Sequence, residues 1–302
     1  MSVITTGNNP KALWPGIHAW WGREYGKHGQ YWKELFDMTS SDKKYEEVVE
    51  ATGYPLAPQK NEGTATSYAS DSQGVVNRAT NVAYSLGFIV TKEEKDDNLY
   101  EYVSKRRTTS LALSMATTKN TVAANFYNRA FSGSYAFGDG KAILASDHPV
   151  KSGSEQSNIL SVAADFSEAA LEDLTIQIMD AQNSNDLNIM LQPQCLIGPT
   201  SLVYEFQRVL KSNLQNDTGN NATNALKDLG VIPKTHINPF LTDTDAWFIR
   251  TNAPSGMVGF DRVALEFGVD GDFDTDNIKK KAYERYSFTI GDWRGLYGSE
   301  GA

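Results

Sequence analysis

An α+β fold follows from three features of this chain. The segment from Phe88 to Ser132 contains no glycine or proline and carries apolar residues at helical spacing. Two segments near the C-terminus alternate apolar and polar residues across a turn-rich linker, as paired strands do. Between these regions short helical and short strand patterns alternate, with no internal repeat and no heptad run. The 302 residues suit one large domain or two smaller ones. Either way they can bury a substantial core.

Residues 1–50 read as an arm. Trp14, Trp20, Trp21 and Trp32 are interleaved with Gly16, Gly22, Gly26 and Gly29, and glycines so close together oppose one long helix. These aromatics either fold back on their own domain or dock on a neighbouring copy. Ser41 as N-cap predicts a short helix from Ser41 to Ala51. Residues 53–92 turn polar, then alternate at Tyr84, Leu86, Phe88 and Val90, predicting an extended hairpin with its tip near Asp71 to Arg78. Its apolar content is too low for independent stability.

Asp96, Asp97 and Asn98 supply cap chemistry and negative charge for a helix from about Asn98 to Phe131. That helix would be roughly 50 Å long at 1.5 Å per residue. Leu111, Met115, Val122, Phe126 and Ala130 share one face, while Thr108, Thr109, Thr117, Thr118 and Thr121 lower the intrinsic propensity. Tertiary packing across a sheet must therefore hold the helix. Asp165 and Glu168 form a capping-box pattern ahead of a second helix reaching about Gln182. A strand from Ile189 to Ile197 ends at Gly198-Pro199, and a third helix buries Leu202, Phe206, Val209 and Leu210. Ala246 to Arg250 is a short strand. Val263, Leu265, Phe267 and Val269 then pair with Tyr286, Phe288 and Ile290 across DGDFDTDN.

The net charge of −9 excludes tight, sequence-independent nucleic-acid binding, which needs a basic surface to displace counterions. Any DNA contact is local or weak. The single cysteine, Cys195, rules out an intramolecular disulfide framework and reads as a buried strand thiol. The N-terminus lacks signal-peptide character, and no apolar run reaches the ~20 residues of a membrane span. A soluble protein made in a reducing cytoplasm is expected.

Asp147-His148-Pro149 offers a candidate general base, but no GxSxG elbow supplies a nucleophile. Neighbouring Asp and His side chains also point apart along the backbone, so a structural loop histidine is the plainer reading. Asp270, Asp272, Asp274 and Asp276 form a carboxylate row. Thr275 and Lys281 stand where a calcium loop needs Gly and Glu. The row reads as a hairpin tip offset by Lys279, Lys280 and Lys281, or as a surface facing basic residues of another copy. His18, His28 and His236 have no metal-ligand spacing, and no phosphate loop is present. Lys105-Arg106-Arg107 is either a solvated helix face, a patch for acidic residues across an interface, or a contact for DNA phosphates. No catalytic residue, cofactor or metal is expected. The candidate assembly contacts are Trp14, Trp20, Trp21, Trp32, Arg78, Arg106, Arg107, Asp272 and Asp274.

The segment order carries a resemblance. GFIVTKEEKDDNLYEY precedes the long helix, KAILASDHPVKSGSEQSN follows it, QPQCLIGPTSL lies in the middle and YERYSFTIGDWRGLYG at the end. In this order and spacing they resemble a tailed-bacteriophage major capsid protein of the HK97-like fold, with the nearest look to Mu-like major head subunits. The resemblance implies an N-terminal arm over 1–52, an extended β-hairpin loop over 53–92, and a peripheral domain over 93–164 with a spine helix at about 97–131. It implies an axial domain over 165–260 and a C-terminal β-hairpin over 261–302 returning to the peripheral domain.

The function so implied is self-assembly of hexamers and pentamers into an icosahedral shell around the phage genome. Synthesis would be in the host cytoplasm and residence in the virion. Portal, scaffold and decoration proteins would be partners, with weak lumenal contacts to DNA. No long helical segment precedes the arm, so scaffolding would come from a separate protein or an absent segment. Lys60 is the lysine of the loop proper, but no motif marks a crosslinking acceptor. Two other readings stay open: an encapsulin-like compartment shell, and a hydrolase using His148.

Overall fold

A computed structural model of the chain describes residues 21, 24–70, 73–96, 100–214, 223–272, 274 and 276–302. Its strands are β1 (Asp37–Ser40), β2 (Tyr45–Ala51), β3 (Gln73–Thr80), β4 (Val82–Val90), β5 (His148–Pro149), β6 (Glu155–Gln156), β7 (Pro193–Gly198), β8 (Thr235–Ile237), β9 (Trp247–Thr251), β10 (Met257–Gly271), β11 (Ile278–Ile290) and β12 (Leu296–Ser299). Its helices are α1 (Trp32–Leu35), α2 (Lys92–Asp96), α3 (Tyr100–Asn128), α4 (Glu168–Met179), α5 (Val203–Lys211) and α6 (Ala225–Leu229).

The long C-terminal strands organise the first sheet, in the order β1-β10-β11-β4, with β1 parallel to β10 and the other pairs antiparallel. The second sheet runs β12-β9-β7-β8 and buries every residue of β9. Helix α3 lies on the first sheet. Its buried residues Thr108, Leu111, Ala112, Met115, Ala116, Lys119, Asn120, Ala123, Ala124 and Tyr127 advance three or four residues at a time. Alanines at four of these positions let the helix axis approach the strands closely. Val122 and Phe126, expected on the deep face, are only half-buried, and Ala130 is buried beyond the end of the helix. Alanine is a weak signal in a periodicity count, so the true stripe was displaced from the expected one. Two of the threonines return their hydroxyls to the preceding turn, Thr109 to Lys105 O at 3.1 Å and Thr118 to Ser114 O at 2.8 Å.

Three apolar clusters result. One joins α1, α3 and the ends of both sheets through Leu35, Phe36, Tyr127, Phe248, Trp293 and Leu296. A second packs α4 and α5 on the second sheet through Leu171, Leu174, Ile178, Phe206, Trp247 and Tyr297. The third places Trp21 on Phe267, Leu111 and Met115. Gly256 and Gly295 let two turns touch: a Cβ on Gly295 would stand 2.5 Å from Gly256 Cα.

Four sequence expectations fail locally. The helix expected over Ser41 to Ala51 is strand β2. Tyr45, Val48 and Val49 favour extended backbone, and pairing from Tyr45↔Thr80 to Ala51↔Gln73 satisfies their amides. The hairpin tip expected near Asp71 to Arg78 falls instead on strand β3, Gln73–Thr80. It pairs with β2, while β4 continues from it and pairs with β11. The strands within 53–92 therefore do not pair with each other, and the open turn lies in the exposed stretch 54–70. The capping box at Asp165 does not form. Ser167 caps α4 by accepting from Ala170 N at 3.2 Å, and Asp165 Oδ1 accepts from Ala302 N at 3.0 Å. The strand expected from Ile189 starts only at Pro193, because Met190 takes a left-handed backbone with φ of 49°.

Candidate functional site

His148 is fully buried. Its Nδ1 lies 2.6 Å from Asp139 Oδ2 and its Nε2 3.2 Å from Asn158 Oδ1. Its ring stacks on Trp293 with centroids 4.5 Å apart and planes 3° from parallel. Burial pushes the Asp139 carboxyl up. The hydrogen bonds from His148 and from the Lys141 backbone outweigh this and hold it below its ordinary value. Asp147, the sequence neighbour, instead pairs with Lys141 at the surface. Asn158 donates to the carbonyls of Ile143 at 2.8 Å and Leu296 at 3.0 Å. These hydrogen bonds close the 137–158 loop on itself, and Asn158 joins it to the start of the C-terminal strand. No substrate can reach the imidazole.

Among the described residues no group of three His, Cys, Asp or Glu side chains could hold a metal. Cys195 is buried in β7 and burial pushes its thiol up to about 11. His236 is lowered by burial and lies beside Tyr31. His18 falls outside the described residues.

The structure also places the surface candidates. Trp14 and Trp20 lie outside the described residues. Trp21 and Trp32 are buried in the chain's own cores, so the docking reading is corrected for both. Trp21 stacks on Phe267 at 5.0 Å, and Trp32 carries the Lys119 ammonium 4.3 Å above its ring. Their large apolar area finds a partner within the chain because α3 and β10 present a matching face. Arg78 pairs with Glu47 at 2.7 Å across β2 and β3. Arg107 pairs with Glu94 at 2.9 Å, and Arg106 is exposed. Asp272 pairs with Lys279 at 2.6 Å and Asp276 with Lys92 at 2.7 Å, so much of the acidic tip is answered locally. Asp274 is exposed. Lys60 is exposed on the open turn. A groove of roughly 520 Å³ opens between α3, β3, β4 and β11, with Phe126 and Phe288 in its lining alongside Arg78 and Arg129.

Two buried polar clusters escaped the sequence reading. In the first, Arg294 donates from Nε to Gln182 O at 2.6 Å and from Nη1 to Glu50 Oε1 at 2.9 Å and Asp292 Oδ1 at 3.1 Å. Its Nη2 reaches Gln156 Oε1 at 3.0 Å. Ser184 donates to Glu50 at 2.5 Å. This cluster ties the end of the β2–β3 ladder nearest the open turn to the body. In the second, Lys119 of α3 meets Asp261 of β10 at 2.7 Å and Glu284 of β11 at 3.8 Å. One signal was available: Glu284 sits on the same alternating face as Tyr286, Phe288 and Ile290. Asn81 fastens the corner between β3 and β4, donating to Ser41 Oγ at 2.9 Å and Lys43 O at 3.0 Å, and accepting from Ser287 Oγ at 2.9 Å.

The sheet order, the long helix across it and the β2–β3 ladder with its exposed turn can be set beside known proteins. The family model described as phage capsid protein matches residues 75–299. The chain belongs to this phage capsid protein family. No curated protein matches it. Among solved structures, this capsid chain is similar to the virus-like particle from Pyrococcus furiosus, with 12% identity, a TM-score of 0.55, and coverage of 94% of this chain and 98% of that one. It is similar to the capsid of an empty GTA particle, with 11% identity, a TM-score of 0.56 and 90% of each chain covered. A phage-related protein from Bordetella bronchiseptica RB50 shares 10% identity and a TM-score of 0.53, over 92% of this chain and 94% of that one. At such identities the likeness is one of fold, the HK97-like capsid fold. The chain is thus a shell-forming capsid protein and a virion component. Among the described residues no helix is long and apolar enough to cross a membrane.

Proposed function

We propose that this capsid protein is the major head subunit of a tailed phage of Mu-like type, building hexamers and pentamers of an icosahedral shell around the genome. The family match over residues 75–299 carries the reading. Physically, the open turn beyond the β2–β3 ladder exposes Tyr54, Leu56 and Tyr68. Such a projection gains burial only against neighbours, and closed symmetry repeats each weak contact many times. The net charge of −9 suits a lumen packed with DNA, since an acidic wall does not hold the genome tightly.

In this reading residues 1–52 are the arm, 53–92 the extended loop, 93–164 the peripheral domain with α3 as spine, 165–260 the axial domain and 261–302 the returning hairpin. Trp14, Trp20, Arg106 and Asp274 remain assembly contacts. Arg78, Arg107 and Asp272 would have to exchange their present partners to serve. The protein is not an enzyme: His148 is a structural residue. The portal is a separate protein, and scaffolding comes from a separate protein or from a further segment of this one.

Negative-stain microscopy of the purified chain, alone and with its scaffold, tests this. Closed shells are expected. A small monomer under every assembly condition would sink the proposal. Shells that enclose a cargo protein and never a portal or DNA would make it a compartment protein instead.

A further inference from the structure

Helix α3 is fastened to its sheet by one ammonium shared between two carboxylates. Lys119 is 5% exposed, in the C-terminal half of the helix. Its Nζ contacts Asp261 Oδ1 at 2.7 Å and stands 3.8 Å from Glu284 Oε2. The Trp32 ring lies 4.3 Å and the Tyr286 ring 4.8 Å from the same nitrogen, closing off water on those sides. Glu284 is 1% exposed, and its Oε1 has no hydrogen-bond partner among the described residues. The Tyr286 hydroxyl is likewise buried without a partner.

We infer that Glu284 is a proton-binding switch that sets how firmly the spine helix holds the long β10–β11 sheet. One positive charge neutralises one carboxylate. With Glu284 protonated, Lys119 and Asp261 form a balanced pair and the cluster is neutral. With Glu284 ionised, the cluster carries a net negative charge in an apolar pocket, which is costly. Moving α3 away from the sheet, so that water reaches Glu284, relieves that cost.

The groups facing Glu284 come from four elements and the N-terminal segment. From α3 there is Lys119, from β10 Asp261, from β4 Tyr84, from β11 itself Tyr286, and from the N-terminal segment Tyr25. Lys119 alone among them favours the anion. Burial first, and then Asp261, raise the carboxyl from its ordinary 4.5 to about 7. The folded chain therefore binds this proton more tightly than the unfolded chain does. The stabilisation is complete below 4.5 and is lost progressively as pH rises to about 7, with no further loss above. Across that window the unfolding constant rises by up to about tenfold per pH unit from this one group.

The test is hydrogen exchange of residues 111–124, with urea unfolding, on the full chain from pH 4.5 to 8.5. The wild type should lose protection in this helix as pH rises to neutrality, after correction for intrinsic exchange. Glu284→Gln should flatten that dependence and hold the helix at its low-pH protection. Asp261→Asn removes the carboxylate that raises Glu284, so it should move the transition to lower pH; this variant decides the matter if Glu284→Gln does not fold. Parallel pH profiles for wild type and Glu284→Gln, or an unmoved transition in Asp261→Asn, would overturn the inference.

Discussion

Replacing Arg294 with Met tests how the turn end of the β2–β3 ladder is held to the body. Arg294 is 1% exposed, and its guanidinium makes hydrogen bonds to Gln182, Glu50, Asp292 and Gln156. Met fills a similar volume but leaves Glu50 and Asp292 as buried carboxylates without their cation. Burial already pushes Asp292 above its ordinary value, in spite of Arg294. Removing one partner of a buried pair costs about 3–5 kcal/mol, against a total stability of about 5–15 kcal/mol. With a urea dependence of about 1–3 kcal/mol per molar, the midpoint should fall by about 1 M or more. Arg294→Lys should be intermediate, since an ammonium keeps the charge but cannot form the planar fork. The double variant Glu50→Gln, Arg294→Met removes one stranded charge with its partner. It should recover about 1–3 kcal/mol relative to the sum of the single changes. Hydrogen exchange should show the loss concentrated in β2 and β3. The reasoning is refuted if Arg294→Met stays within about 1 kcal/mol of wild type, or if the two changes add without coupling.

Two further outcomes follow from the buried groups. His148→Ala strands the Asp139 carboxyl and removes the stack on Trp293, so it should cost about 2–4 kcal/mol and lower Tm by at least about 4 °C. An unchanged Tm in a thermal scan would show that the histidine holds nothing. Cys195, with its thiol pushed up to about 11, should be only about one-thousandth thiolate at pH 8. It should label with an aromatic disulfide reagent only when the chain unfolds, and rapid labelling of the native protein would contradict its burial.

The local signals in the sequence were strongest where one periodicity ran long and unbroken. The glycine-free run up to Ser132 gave α3 to within a few residues, and the strict alternation in Val263–Val269 and Tyr286–Ile290 gave β10 and β11. The segment order gave the capsid fold, because order survives where individual residues drift. The Ser41–Ala51 segment shows the opposite case. Its helix-forming Lys and Glu residues competed with Tyr45, Val48 and Val49, and the outcome rested on a partner strand that begins at Gln73.

The polar clusters lay further from view. Arg294 meets Glu50 across 244 positions of chain, and Lys119 meets Asp261 across 142. No local window contains both members of either pair. Asp147 beside His148 suggested a partnership, yet the imidazole found Asp139 and Asn158 on the other sides of its loop. By itself the sequence determined most element types, the fold and the acidic balance, since these depend largely on neighbours along the chain and on composition. Tertiary structure alone decided which charges are buried together, because desolvation acts on groups brought together in space, whatever their separation along the chain.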